Sequence, residues 1–335
     1  LDSQGRKNYS GTVGWLCNLY NSEVFVTVFR PVMWCLVAAT TAFGAADGAF
    51  APLFNGKELS GWMMPTGKPP AFAVADGILE TRVPNGSDIF TTAWYGNYVL
   101  RFEYLLSKVG NSGVLIRCDP KNPWGTGVEV QLLAPWTPHR DDLHCTGSLY
   151  GYVAVTNRPD ETTGIWHRME IRCDRNTVEV SVDGKLTTRA DTLAVKALNA
   201  KLLSGAIGFQ SNHSKQGEFA QFRKIELRDL DREPDYVLAG FSHADERFRV
   251  QAREAAVALG PVMIVPLVRT MEGESVMARS VARQALFDIT AAASAPQADA
   301  AVRDAASRAL REALDTKPSA PTAGYVTWLL GMLRK

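Results

Sequence analysis

The sequence predicts an all-β sandwich or barrel followed by an α-helical array, and three observations carry that expectation. From about Ala49 to Leu230, short runs of alternating apolar and polar residues succeed one another, separated by turn residues and with almost no helical spacing. After the charged segment DLDREPD the strand patterns stop and alanine-rich helical spacing replaces them. A chain of 335 residues is also long for one ordinary domain.

Hydrophobic residues at 46% and charged residues at 21% suit a globular protein with a sizeable core. A net charge of +1 without a long basic run makes nucleic acid and anionic membrane surfaces poor partners. The cysteines at 17, 35, 118, 145 and 173 contain no CxxC pair, which argues against a metal–thiolate site.

The chain begins with Leu1, so its given start is expected to be a fragment or to lie upstream of the true one. Residues 1–46 read as an upstream extension and a secretory signal peptide. VFRPVMWCLVAATTAFGAADG has one Arg, an apolar run from Val32 to Phe43 and small residues up to a cleavage point after Ala46. The run is too short for a membrane anchor, which needs about 20 apolar residues. A periplasmic or secreted protein with no membrane span after cleavage is expected. Export would leave Cys118, Cys145 and Cys173 an odd set, with at most one bridge among them.

In the first domain, placed at 49–230, the runs are FAVADGILET, SDIFTTAWY, NYVLRFEYLL, SGVLIRCD, GVEVQLL, GSLYGYV, WHRMEIRC, TVEVSVDG, GAIGFQSN and FAQFRKIELRDL. Asp183-Gly184 favours a two-residue hairpin turn, since both positions tolerate positive φ. His167 shares parity with Met169 and Ile171 and reads as a satisfied core histidine, while Tyr150 and Trp166 suit either the core or a sugar ring. The central pair is NSGVLIR and GVEVQLL. In the second, period two places Glu129 and Gln131 together on the face opposite Val128, Val130 and Leu132. Such a face is either solvated or the floor of a site.

Residues 231–240 read as a linker and 241–335 as the helical domain. Ala252, Ala255, Ala256 and Leu259 recur at helical intervals, as do Ile264, Leu267, Val268 and Met271, and later Val281, Ala282, Ala285, Leu286 and Ile289. The order, a helix with an early Pro, a polar turn and a second helix, resembles HEAT repeats. That resemblance implies a solenoid with grooves for a protein partner, truncated here inside a longer array because TAGYVTWLLGMLRK ends without a cap. A small self-contained bundle is the alternative.

The ordered set LFNGKELSGW, DGILET, YVLRFEY, NSGVLIR, VEVQLL, GSLYG, IWHRMEIRC, VDGK, GAIGFQSNH and FRKIELRDL resembles the 3-keto-disaccharide hydrolase family of exported bacterial proteins. The resemblance implies a jelly-roll sandwich of the concanavalin A-like lectin and glucanase type, with an oligosaccharide or glycoside bound on a concave sheet. It carries the family's polar positions onto Asn111, Ser112, Arg117, Glu129, Gln131, Tyr150, Gln210 and His213. The chain departs from the family's pattern in Leu132-Leu133-Ala134 and at Lys224, where Asn is common.

Common glycosidases flank the bond with two carboxyl groups, whereas one strand carboxylate stands out here. In a 3-keto-glycoside the ketone acidifies C2–H, so one base can drive expulsion of the C1 substituent, and water can then add. On this reading Glu129 is the general base and Arg117 the cation on the enolate oxygen, with Asn111, Gln131, Tyr150, Gln210 and His213 holding substrate. The loop TPHRDDLHCTG offers His139, Asp141, Asp142 and His144 as candidate ligands for a divalent metal ion, and His144 as a second acid or base. No cofactor is otherwise implied. A non-catalytic carbohydrate-binding sandwich within a cell-surface assembly is the competing reading, and a protein-binding scaffold a third.

Overall fold

The computed structural model describes residues 49–333 except 66, 67, 82, 84, 85, 137–139, 212 and 214–216. The expected signal peptide and cleavage point lie outside these residues. Thirteen strands are formed among them: β1 Ala51–Pro52, β2 Trp62–Met63, β3 Phe72–Ala75, β4 Ile78–Thr81, β5 Ile89–Thr91, β6 Tyr98–Leu106, β7 Asn111–Cys118, β8 Val128–Leu133, β9 His167–Asp174, β10 Thr177–Val182, β11 Lys185–Asp191, β12 Ala206–Phe209 and β13 Ala220–Asp229. They make two antiparallel sheets, ordered β11-β10-β9-β6-β13-β4-β3 with β1 beside β13, and β2-β5-β12-β7-β8. The architecture is an antiparallel β-sandwich.

Alternation builds the core between the sheets. Leu100, Phe102 and Tyr104 of β6 and Phe222 of β13 face Val114, Val130 and Phe209 of the smaller sheet. Phe209 meets Phe222 at 4.7 Å and Phe102 at 5.4 Å, both edge-on, the geometry favoured by aromatic quadrupoles. Asp183 and Gly184 have φ of 50° and 77° and close the β10–β11 hairpin. GSLYGYV, expected as a strand, is instead a turn with isolated bridges at Leu149, because Gly147 and Gly151 take φ of 87° and 74°.

His167 is buried beneath Tyr104, with Nδ1 2.7 Å from Asp183 Oδ2 and Nε2 2.8 Å from the Thr162 carbonyl. Trp166 lies under the Arg223 guanidinium. Cys118, Cys145 and Cys173 are buried free thiols.

Two single-turn helices, α1 Pro123–Thr126 and α2 Lys196–Asn199, decorate the sandwich. Across the expected linker, 231–240, run a 3-10 turn, Leu230–Arg232, and α3, Pro234–Gly240. The helices α4 Glu246–Leu259, α5 Ile264–Met271, α6 Val276–Ser294, α7 Ala300–Asp315 and α8 Ala320–Met332 follow. Their alanines and leucines form a second core containing Ala256, Leu267, Ala285, Leu310 and Val326. The run Glu246–Met271 has the length and hydropathy of a membrane span. It also carries Arg247, Arg249, Arg253 and Glu254, and it buries Phe248, Ala252 and Ala256 within the protein.

The helices and the sandwich share a seam. Asn97 donates its amide and side chain to Asp231, at 2.9 and 2.8 Å, and Tyr236 Oη donates to Asp174 at 2.6 Å. Arg175 donates to the Tyr236 carbonyl at 2.9 Å and stacks over its ring.

Candidate active site on the smaller sheet

β7 and β8 are paired so that Gly113 is opposite Gln131 and Leu115 opposite Glu129. Paired residues share a face, so Glu129 and Gln131 stand together on the face turned away from the core, as their parity requires. Gly113 makes room for the carboxyl group: a Cβ there would come within 2.2 Å of Glu129 Oε1. Glu129 is only 7% exposed. Gln131 is also buried, and its Oε1 accepts the Leu132 amide at 2.9 Å.

The chain leaving β12 brings the next groups. The Gln210 amide donates to the Gly113 carbonyl at 2.9 Å, and its buried side chain lies near enough to the Glu129 carboxyl group to favour the carboxylate. The Ser211 amide donates to Asp88 Oδ1 at 2.8 Å. The His213 amide donates to the Asn111 carbonyl at 2.9 Å. Gln210 and His213, three residues apart, thus bond β7 carbonyls only two residues apart. Asn111 and Gly113 share strand parity, so both bonds are made along the same edge of β7.

Burial, and then the charge of Asp88, push the Glu129 carboxyl up to about 8, against the lowering by Gln210. Most of it is therefore protonated at neutral pH. The general base expected of this residue would have to work from its minor form. Burial also lowers the His213 imidazole below its ordinary range and Lys68 adds to this, while Asp88 opposes both. The acid and the imidazole are pushed towards neutral forms at the same pH.

Arg117 does not join this group. It has φ of 50°, and the β12–β7 register shifts between Ala206 and Gly208, so strict alternation fails there. Its buried guanidinium donates to the Gly96 carbonyl at 2.7 Å, the Arg175 carbonyl at 2.9 Å and Asn97 Oδ1 at 3.2 Å, all on the larger-sheet side. The role of cation on an enolate passes to no group through Arg117.

β8 is an edge strand, and the loop after it covers that edge. Gly147 donates to the Gln131 carbonyl and Tyr150 to the Glu129 carbonyl, both at 2.9 Å. The Tyr150 ring is exposed and meets His144 edge-on at 4.7 Å. His144 Nδ1 is 2.7 Å from Asp141 Oδ1, while Asp142 pairs with Arg158 at 2.6 Å. The two acids expected as metal ligands thus have different partners, and His139 lies outside the described residues. Among the described residues no group of three or more His, Cys, Asp or Glu side chains is placed to hold a metal ion.

Asp88 was not anticipated. It lies in the loop before β5 and reaches the site through a partner 123 residues away, a contact that no local periodicity signals.

These features define an antiparallel sandwich whose smaller sheet carries a buried acid and two amides on its outward face, with His213 bonded along the same strand. The model of the 3-keto-alpha-glucoside-1,2-lyase-like domain matches residues 49–228, more than half of the chain, and the chain belongs to that family. No curated protein matches the sequence. Among solved structures, a candidate glycosyl hydrolase from Parabacteroides distasonis is similar at 23% identity and TM-score 0.48, covering 54% of this chain and 99% of its own. A Bacillus licheniformis beta-glucanase is similar at 13% identity and TM-score 0.39, covering 54% and 97%. The carbohydrate-binding module CBM66 from Bacillus subtilis gives 13% and 0.36, covering 49% and 93%.

Proposed function

We propose that the sandwich cleaves 3-keto-glycosides by elimination across C1 and C2, with Glu129 moving a proton in the step that breaks the glycosidic bond. The observation that carries this reading is the buried Glu129 carboxyl group on a polar sheet face, opposite a glycine that leaves it space. A 3-ketone makes C2–H acidic. Loss of that proton gives an enolate, whose collapse forms the C1–C2 double bond and breaks the C1–O bond. The departing oxygen then needs a proton, and a carboxyl group protonated at neutral pH is suited to give it. The resulting carboxylate can activate the water that adds back to C1, which makes the net change hydrolysis. Gln131 and Gln210 would orient sugar hydroxyls, with Asn111 and Tyr150 at the margin.

The deciding experiment is turnover of 3-keto-trehalose and 3-keto-sucrose by the full chain beside its Glu129→Gln variant. Loss of cleavage by at least about 100-fold in the variant, with the fold intact, supports the reading. Binding of unoxidised sugars as tight as keto sugars, without turnover, would replace it with a carbohydrate-binding role.

We also infer that α3–α8 form a HEAT-like stack able to dock a protein partner. Support comes from packing of helices on their neighbours and next neighbours, as in α4 on α6, α5 on α7 and α6 on α8. Export to the periplasm or beyond is likewise proposed, from the apolar run Val32–Phe43. Sequencing the N-terminus of the mature protein tests it, and a start upstream of Val32 would refute it.

A further inference from the structure

We propose that His213 is the base that removes the C2 proton, with Asp88 as the residue that positions and tunes it. The inference rests on the elimination reading above and assigns that reaction its second proton-transfer group.

Three placements support it. The His213 amide is bonded to the Asn111 carbonyl two residues along β7 from Gly113, the residue beneath Glu129. Asn111 shares strand parity with Gly113, so His213 is fixed alongside the face that carries Glu129, as Gln210 is through the Gly113 carbonyl. Asp88, fixed by the Ser211 amide at 2.8 Å, acts electrostatically on both His213 and Glu129. One carboxylate therefore faces both groups that exchange protons. His213 is also exposed, where an incoming sugar can meet it, whereas Glu129 lies at the floor.

The protonation states agree with the assignment. Partial desolvation beside the sheet, although the residue as a whole stays exposed, holds the imidazole below its usual range, so it is neutral and able to accept a proton near pH 7. Glu129, at about 8, is a donor at the same pH. Among the described residues, the charged groups that act on His213 include Asp88 ahead of β5, which raises its pKa, and Lys68 ahead of β3, which lowers it.

The step balances. His213 takes the C2 proton, and the C–H electron pair enters the enolate. Collapse of the enolate forms the C1–C2 double bond and breaks C1–O, and the leaving oxygen takes the Glu129 proton. The protein is left with an imidazolium and a carboxylate. Hydration reverses both transfers: Glu129 takes a proton from water as its oxygen adds to C1, and the imidazolium returns one to C2.

The test separates proton removal from bond cleavage. The full chain is incubated with 3-keto-trehalose in deuterated water, and C2 deuterium exchange and cleavage are followed by NMR. His213→Gln should lose both exchange and cleavage by about 100-fold or more. Glu129→Gln should lose cleavage and retain C2 exchange within a few-fold. Asp88→Asn should move both limbs of the pH–rate profile to lower pH, because it removes an anion that raises the pKa of each partner. Exchange at the wild-type rate in His213→Gln would overturn the assignment while leaving the elimination reading standing. Wild-type protein showing neither exchange nor cleavage would overturn that reading, and the assignment with it.

Discussion

Replacing Arg117 with methionine distinguishes a structural rivet from a catalytic cation. The substitution keeps an apolar stem but removes donors to the Gly96 carbonyl, the Arg175 carbonyl and Asn97 Oδ1. Hydrogen bonds from a charged group contribute about 1.5–3 kcal/mol each, and stranding their buried partners adds desolvation cost. Asn97 keeps the Arg175 amide as a donor to Oδ1, at 2.7 Å, which limits the loss at that atom. The two carbonyls therefore dominate, and a destabilisation of about 3–5 kcal/mol is expected. For a domain of this size each kcal/mol lowers the melting temperature by about 2–4 °C, so the fall should be about 6 °C or more. Differential scanning calorimetry measures it, beside turnover of a 3-keto-glycoside at a temperature where the variant remains folded. Near-normal turnover with the large loss of stability is expected. A melting temperature within about 2 °C of wild type, together with abolished turnover, would refute the structural assignment.

Gly113→Ala would place a methyl group 2.2 Å from Glu129 Oε1 and displace that carboxyl group, so cleavage should fall by about 100-fold with much smaller change in melting temperature; unchanged kinetics would show that Glu129 need not sit there. Because the folded-state pKa of Glu129 is raised to about 8, its stabilising contribution is complete below its unfolded value near 4.3 and declines as pH rises through about 8. Glu129→Gln should therefore be relatively more stable at pH 9 than at pH 5, on the order of several kcal/mol, and urea unfolding at the two pH values checks it. His167 shows the same sign from a different cause: burial lowers its pKa, but the Asp183 and Thr162 partners more than offset this and leave it raised. Its stabilisation should be complete below about pH 6.5 and fade above that as the imidazolium loses its proton. His167→Gln should abolish that part of the pH dependence, and an unaltered profile would show that the imidazolium contributes nothing.

The strands that flank the site were legible because their alternation is regular. Val128, Val130 and Leu132 enter the core, and that parity alone puts Glu129 and Gln131 on the opposite face. The same reasoning failed at Arg117, where positive φ and a register shift interrupt the alternation. It failed again at GSLYG, whose glycines adopt turn conformations even though the intervening residues look strand-like. Asp88 was hidden for another reason: its importance comes from a loop and a strand exit far apart in the chain. Segment 231–240 reads as a linker by charge, yet its polar residues bind the sandwich: Asp231 serves Asn97, and Tyr236 serves Asp174 and Arg175.

The seam formed by those residues makes the helical part a bracket rather than a tethered passenger. Arg247 adds bonds to Asn199, and Gln251 one to the Leu203 carbonyl, so the contact extends beyond a single hinge point. A partner held by the helices would meet the sandwich at a constant angle and distance instead of sampling the volume a loose tether allows. Residues inserted near position 233 would therefore act as spacers driven into a joint, changing the direction in which the helices stand on the sandwich.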